Sequence, residues 1–141
     1  MPRLIYFAPC LTPIISQEGV LSLVSVVEAI TVPAPVSANA ALPEPITAVA
    51  YFRREAADAE RSFEVKLRIA APSGRVLRER EAEPFQIVDA GHRYLISIQD
   101  FPLATAGTYK LQLFLRERGV DERWRKVAEY PVDVAHIDVP G

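Results

Sequence analysis

The residues able to do chemistry are few and scattered. There are two histidines, His92 and His136, and one cysteine, Cys10. His92 follows Gly91 at the head of an alternating segment, and His136 lies in the tail AHIDVPG. They lack the close spacing of a helical metal motif, and one cysteine does not make a structural zinc site. Cys10 stands between Pro9 and Leu11, which offer nothing to lower its pKa. It reads as a small buried residue rather than a nucleophile. Asp58 and Glu60 share one loop, while Asp89, Asp100, Asp121 and Glu122 fall in others. Such loops could converge on calcium through oxygen ligands, but each either carries arginine or stands alone, so solvated charge is expected. Tyr51, Tyr94, Tyr109, Trp124 and Tyr130 could stack against sugars or bases. Most fall in the inward phase of their segments, which argues for core packing. No glycine-rich phosphate loop and no G-x-S-x-G elbow occurs. No catalytic, cofactor-binding or metal-ligating residue is therefore assigned, and the expectation is a chain that is not an enzyme and carries no cofactor.

The surrounding elements are strands. In SFEVKLRIA, Phe63, Val65, Leu67 and Ile69 alternate with Glu64, Lys66 and Arg68. That is the pattern of a half-buried antiparallel strand. Ala71-Pro72-Ser73-Gly74 reverses the chain, and RVLREREAEP reads as a charged strand at a sheet edge. His92–Gln99 alternates again, with Tyr94, Ile96 and Ile98 on one face. In TYKLQLFLRER the inward set is Tyr109, Leu111, Leu113 and Leu115. After a turn at Gly119–Glu122, RWRKVAEYPVDV places Trp124, Ala128, Tyr130, Val132 and Val134 together, with Lys126 the exception. The pattern predicts that these last two strands form a closing hairpin.

The first half is less regular. Residues 3–9 read as a first strand, and Gln17-Glu18-Gly19 as a turn. In VLSLVSVVEAITV the polar residues Ser22, Ser25, Glu28 and Thr31 recur every third position, which fits neither period cleanly. Its valines favour a strand, bulged and buried on both faces, with a short helix as the alternative. PAPVSANAALPEP, residues 33–45, reads as a long proline-rich loop within one domain. Ile46–Phe52 is expected to pair with 62–70 across the polar loop REAADAE.

A chain of 141 residues with a net charge of −2 suits one domain, residues 1–141. Its charge attracts neither nucleic acid nor an anionic membrane. No run approaches the roughly 18 apolar residues of a membrane helix. Prolines at 2, 9 and 13 spoil an export signal in the opening segment, so a soluble, cytoplasmic protein is expected.

About eight short strands joined by turns imply an all-β fold, a two-sheet antiparallel sandwich. Ala106-Gly107 followed by Tyr109 entering an alternating strand looks like the tyrosine corner of immunoglobulin-like domains. The segments PRLIYFAP, IISQEGVLSLVSVVEAITV, FEVKLRIAAPSGRVL, GTYKLQLFLRE and WRKVAEYPVDV together give the chain its character. On these it resembles a bacterial family of small immunoglobulin-like sandwich proteins, a domain of unknown function. The resemblance implies a fold and transfers no catalytic residue.

Charge is unevenly spread. Residues 1–50 hold only four of the sixteen basic and eighteen acidic residues: Arg3, Glu18, Glu28 and Glu44. That half is expected either to form the centre of the sandwich or to be covered by another chain. The reading is a non-catalytic interaction or assembly module, self-associating as a dimer through residues 1–50, with the loop 33–45 against a partner or capping its own core. A binding protein for a small apolar ligand is the alternative, and an enzyme of unrecognised type a more distant one.

Overall fold

The computed structural model describes residues 1–81 and 83–138. Ala82, in the charged stretch after Arg75, and the last three residues of the tail lie outside the described residues. Nine strands follow in chain order: β1 (Arg3–Ile15), β2 (Leu21–Val26), β3 (Ala29–Pro33), β4 (Ile46–Arg53), β5 (Phe63–Ala70), β6 (Val76–Glu81), β7 (Gly91–Ile98), β8 (Gly107–Glu117) and β9 (Arg125–Ile137). They form two sheets, one ordered β2-β1-β4-β7 and the other β3-β9-β8-β5-β6. Every pairing is antiparallel except β3 with β9, which is parallel. The fold is an all-β sandwich.

Period-two alternation decides which side chains meet between the sheets. Val65, Leu67 and Ile69 of β5 face Leu115, Leu113 and Leu111 of β8 in register, and all of these are buried, as is Phe63. From the other sheet come Ile46, Ala48, Ala50 and Phe52 of β4, with Ile96 and Ile98 of β7. Tyr94 and Tyr130 are half-buried against the same core. Burying one such aliphatic or aromatic side chain contributes about 1.5–3 kcal/mol.

Three expectations change. Residues 46–52 do not pair with 62–70. β4 lies between β1 and β7, and β5 between β8 and β6, because the intervening residues cross from one sheet to the other through a short 3-10 turn at Ala56–Asp58. VLSLVSVVEAITV is two strands rather than one, and neither is buried on both faces. Ser25 takes φ +57°, Val27 turns into the core, and β3 joins the opposite sheet. The three-residue spacing therefore marks a strand phase that restarts at a change of sheet. β1 is also longer than residues 3–9. Past Cys10 it is paired with β2 alone, where the missing N–H of Pro13 is tolerated.

Trp124 is the fourth correction. The register slips between Leu113 and Phe114, so Ala128 opposes Leu113 while Lys126 opposes Phe114. This bulge reverses the phase of what precedes it. Lys126 stops being an exception, and Trp124 lies with the outward-facing side chains of β5 and β8.

The corner before β8 is as expected. The Tyr109 hydroxyl donates to the Thr105 carbonyl at 2.7 Å, and the Thr105 amide lies 3.3 Å from the same oxygen. Gly107 has φ +135°, and a Cβ there would approach Pro72 to 2.8 Å, so only glycine fits between the turn and the tyrosine. With β3 as the switched first strand beside β9, the sheet order and this corner match the immunoglobulin-like plan.

Candidate interaction surface

The residues with catalytic potential are kept apart. His92 points inward and stacks on Phe85 with centroids 4.6 Å apart, and burial lowers its pKa below the ordinary imidazole value. His136 shares a 2.8 Å hydrogen bond with the Leu103 carbonyl. Cys10 is fully buried, and burial raises its thiol pKa, away from reactivity. Asp58 is buried too. Its Oδ2 accepts from the Glu55 amide at 2.9 Å, and its Oδ1 lies 3.0 Å from the Met1 amino nitrogen. Asp121 accepts from the Glu117 amide at 3.0 Å and closes the β8–β9 turn. Among the described residues, no three of His, Cys, Asp and Glu are gathered as a metal ion would need.

The outer faces of the two sheets differ sharply. On the five-stranded sheet, Lys66 lies over the rings of Phe114 and Trp124, at 5.3 and 4.8 Å. Arg116 covers Trp124 at 4.0 Å and Arg68 covers Phe114 at 4.7 Å. Arg68 pairs with Glu79 at 2.6 Å and Arg116 with Glu64 at 3.6 Å. Gln112 and Lys126 both reach Glu129, whose carboxyl pKa is lowered first by the Gln112 hydrogen bond. This face satisfies itself: each aromatic is capped by a cation, and most cations have a carboxylate beside them. Exposed pairs of this kind contribute about 0–1 kcal/mol each and keep the face solvated.

The four-stranded sheet carries mainly aliphatic and hydroxyl side chains, with Arg53 and Arg93 beside Tyr51. Tyr6 stacks on Tyr51 with centroids 5.6 Å apart, and the Tyr51 ring lies over Gly91, where a Cβ would meet its hydroxyl at 2.3 Å. Arg93 stands level with Tyr51 in the β4–β7 register, and Tyr51 with Tyr6 in β1. Yet the Arg93 guanidinium donates to the carbonyl of Gly19, in the β1–β2 turn, at 3.3 Å. A straight β1 would carry that turn about 30 Å past Tyr6, at roughly 3.3 Å per residue. The β1–β2 hairpin therefore bends back on the outer side of the sheet. That return accounts for the complete burial of Val49 and Cys10, which stand in the outward phase. The hairpin itself remains open to solvent. Among the described residues, six of the twelve large exposed hydrophobics lie between Leu11 and Val26, with Ile14, Ile15 and Val20 at 50, 52 and 63% exposure.

The loop 33–45 docks on its own chain. Leu42 donates to the Phe101 carbonyl and Leu103 to the Ala40 carbonyl, both at 2.9 Å, and Ala40 and Leu42 pack on the core. Its lack of charge therefore reflects capping of one end of the sandwich. The exposed apolar surface is the hairpin, whose residues 11–26 carry one charge, Glu18, and which the sequence pattern did not single out. Its signal was present, in a six-residue strand with no charged residue.

Between the open edges β6 and β7 lies a slot of about 300 Å³ on Leu67, Ile69 and Ile98. Its rim is laced by arginine. Arg80 donates to the Ser97 carbonyl at 2.6 Å, and Arg78 to the carbonyls of Gln99 and Asp100.

No family model and no curated protein matches this chain. Among solved structures, the chain is similar to an immunoglobulin-like protein from Pseudomonas aeruginosa, at 14% identity, covering 95% of this chain and 96% of that one with a TM-score of 0.38. It is also similar to part of a Bacteroides uniformis β-glucuronidase, at 17% identity and a TM-score of 0.48, over 71% of this chain and 12% of that one. Neither likeness assigns a substrate or a partner. Among the described residues, no helix is long and apolar enough to cross a membrane.

Proposed function

We propose that this chain is a non-catalytic protein-interaction module that meets its partner through the sparsely charged side built by residues 1–50. One observation carries this reading. Charge and exposed apolar area are segregated, the five-stranded sheet having a self-paired charged face and the hairpin residues 11–26 an exposed aliphatic one with Glu18 as their one charge. Apolar surface concentrated in this way gains free energy by being covered. Nothing about the scattered histidines, the inert thiol and the paired carboxylates supports catalysis. A small apolar ligand is the weaker reading. The slot between β6 and β7 sits at the low end of ligand-pocket volumes, about 300–1,000 Å³, and its rim arginines are already bonded to backbone. A cytoplasmic location and membership of the bacterial family that the strand pattern resembles complete the proposal. Sizing of the native protein in an extract of its own cells tests the main reading. The expected result is elution above monomer mass. Elution at monomer mass across physiological concentrations would overturn it.

A further inference from the structure

One side of the sandwich is open where β6 and β7, the edges of different sheets, face each other without a backbone ladder between them. The slot of about 300 Å³ at this opening has an aliphatic floor drawn from both sheets, Leu67 and Ile69 of β5 and Ile98 of β7. The β6 register sets its rim. Arg78 stands opposite Ile69 and Arg80 opposite Leu67. Both arginines therefore occupy the inward phase, where a sandwich is ordinarily closed by apolar side chains. Their guanidinium groups reach across the mouth to backbone carbonyls, Arg80 to Ser97 and Arg78 to Gln99 and Asp100. Among the described residues, neither arginine is paired with a carboxylate. Glu79, the acid between them, is held by Arg68 at 2.6 Å. The slot thus offers apolar burial below and two cations without counter-charge above.

We infer that this slot binds a small amphipathic anion, a carboxylate carrying one short aliphatic chain. The chain lies on Leu67, Ile69 and Ile98. The carboxylate takes the guanidinium groups of Arg78 and Arg80 in place of the carbonyls they now hold. That exchange favours the arginines, because a carboxylate is a stronger acceptor than a neutral carbonyl and matches the guanidinium fork. Both arginines are exposed, so the exchange needs side-chain rotation alone, and the freed carbonyls meet water. A neutral apolar molecule would cover the same floor and leave both cations unused, so charge complementarity selects the anion. The volume lies at the low end for ligand sites, which suits one short chain. Inward-pointing charges also guard a sheet edge, but guarding requires charge alone and does not call for an aliphatic slot beneath it. None of these side chains belongs to residues 1–50, so the site is independent of the proposed interaction surface.

The test is titration of the purified full chain with octanoate, octylammonium and acetate, followed by methyl NMR. Octanoate should shift the methyl signals of Leu67, Ile69 and Ile98 with a dissociation constant of about 1 mM or below. The methyls of Val120, in the β8–β9 turn, should stay in place. Octylammonium has the same chain and the opposite charge, and should bind about tenfold more weakly or worse. Acetate, the head group without the chain, should leave the floor methyls unmoved. Arg80→Met keeps the aliphatic stem, and should weaken octanoate about tenfold without weakening octylammonium. Floor methyls that ignore octanoate overturn the inference, and so does full octanoate affinity in Arg80→Met. Equal binding of octanoate and octylammonium overturns it too, leaving the arginines as edge guards alone. That last comparison uses the unsubstituted chain, so it decides the matter even where Arg80→Met fails to fold.

Discussion

At the scale of single residues, Tyr109 shows how much one polar atom can fix. Its ring is buried against Phe101 and its hydroxyl ties down Thr105. Tyr109→Phe keeps the packing and removes both hydrogen bonds to the Thr105 backbone, so the expected loss is about 1–3 kcal/mol, read as a shift in the denaturant midpoint. Leu113 is fully buried between β5 and β9. Leu113→Ala leaves a cavity and should cost about 2–5 kcal/mol. A thermal midpoint that hardly moves would mean the assigned register is wrong. His92 supplies a pH effect. Its imidazole pKa is depressed by burial, so the unfolded chain takes up its proton first as pH falls. Stability is fully present above the ordinary imidazole pKa of about 6.5, and is lost between there and the lower folded value. His92→Phe should flatten the part of the stability curve just below about pH 6.5, when compared with the parent by thermal melts.

At the scale of elements, the edges are the informative parts. Arg78 and Arg80 bridge β6 to the β7 side and close the slot over Leu67, Ile69 and Ile98. Replacing both by Met keeps aliphatic length and removes the donors. The carbonyls at Ser97, Gln99 and Asp100 then lose their charged partners, and the expected outcome is faster aggregation on heating, followed by turbidity. The β1–β2 hairpin is held differently, by Arg93 reaching Gly19. Arg93→Ala should raise amide exchange in residues 11–26 while leaving the β5 and β8 amides protected, because local opening need not involve the core. Equal deprotection of both regions would show that the hairpin is part of the global folding unit.

At the scale of the molecule, the sandwich has two outer sides of opposite character. Cation–aromatic stacks and ion pairs cover the five-stranded sheet, while the hairpin on the other side exposes aliphatic residues and backbone edge. An association through the second side depends little on Coulomb forces. Between about 0.05 and 0.5 M salt the Debye length falls severalfold, yet the dissociation constant of an association through this side should change by less than about threefold. A steep salt dependence in analytical ultracentrifugation would point instead to the charged face of Lys66, Arg68 and Arg116.

The sequence by itself determined the inward set of β5, β7 and β8, because alternation is a local property and a slip of one residue would invert every side chain. It also determined the turns at 71–74 and 119–122 and the tyrosine corner, since proline, glycine and the tyrosine act within a few residues of themselves. Tertiary structure alone decided the rest. Which strands became neighbours, as in β4 beside β1 and β7 rather than β5, depends on contacts distant in sequence that no local period encodes. The bulge that turned Trp124 outward exists only as a relation between β8 and β9. The exposure of the β1–β2 hairpin was equally hidden, because an uncharged apolar strand reads the same whether it is a core strand or a bare edge. Only its place in the sheet order separates the two.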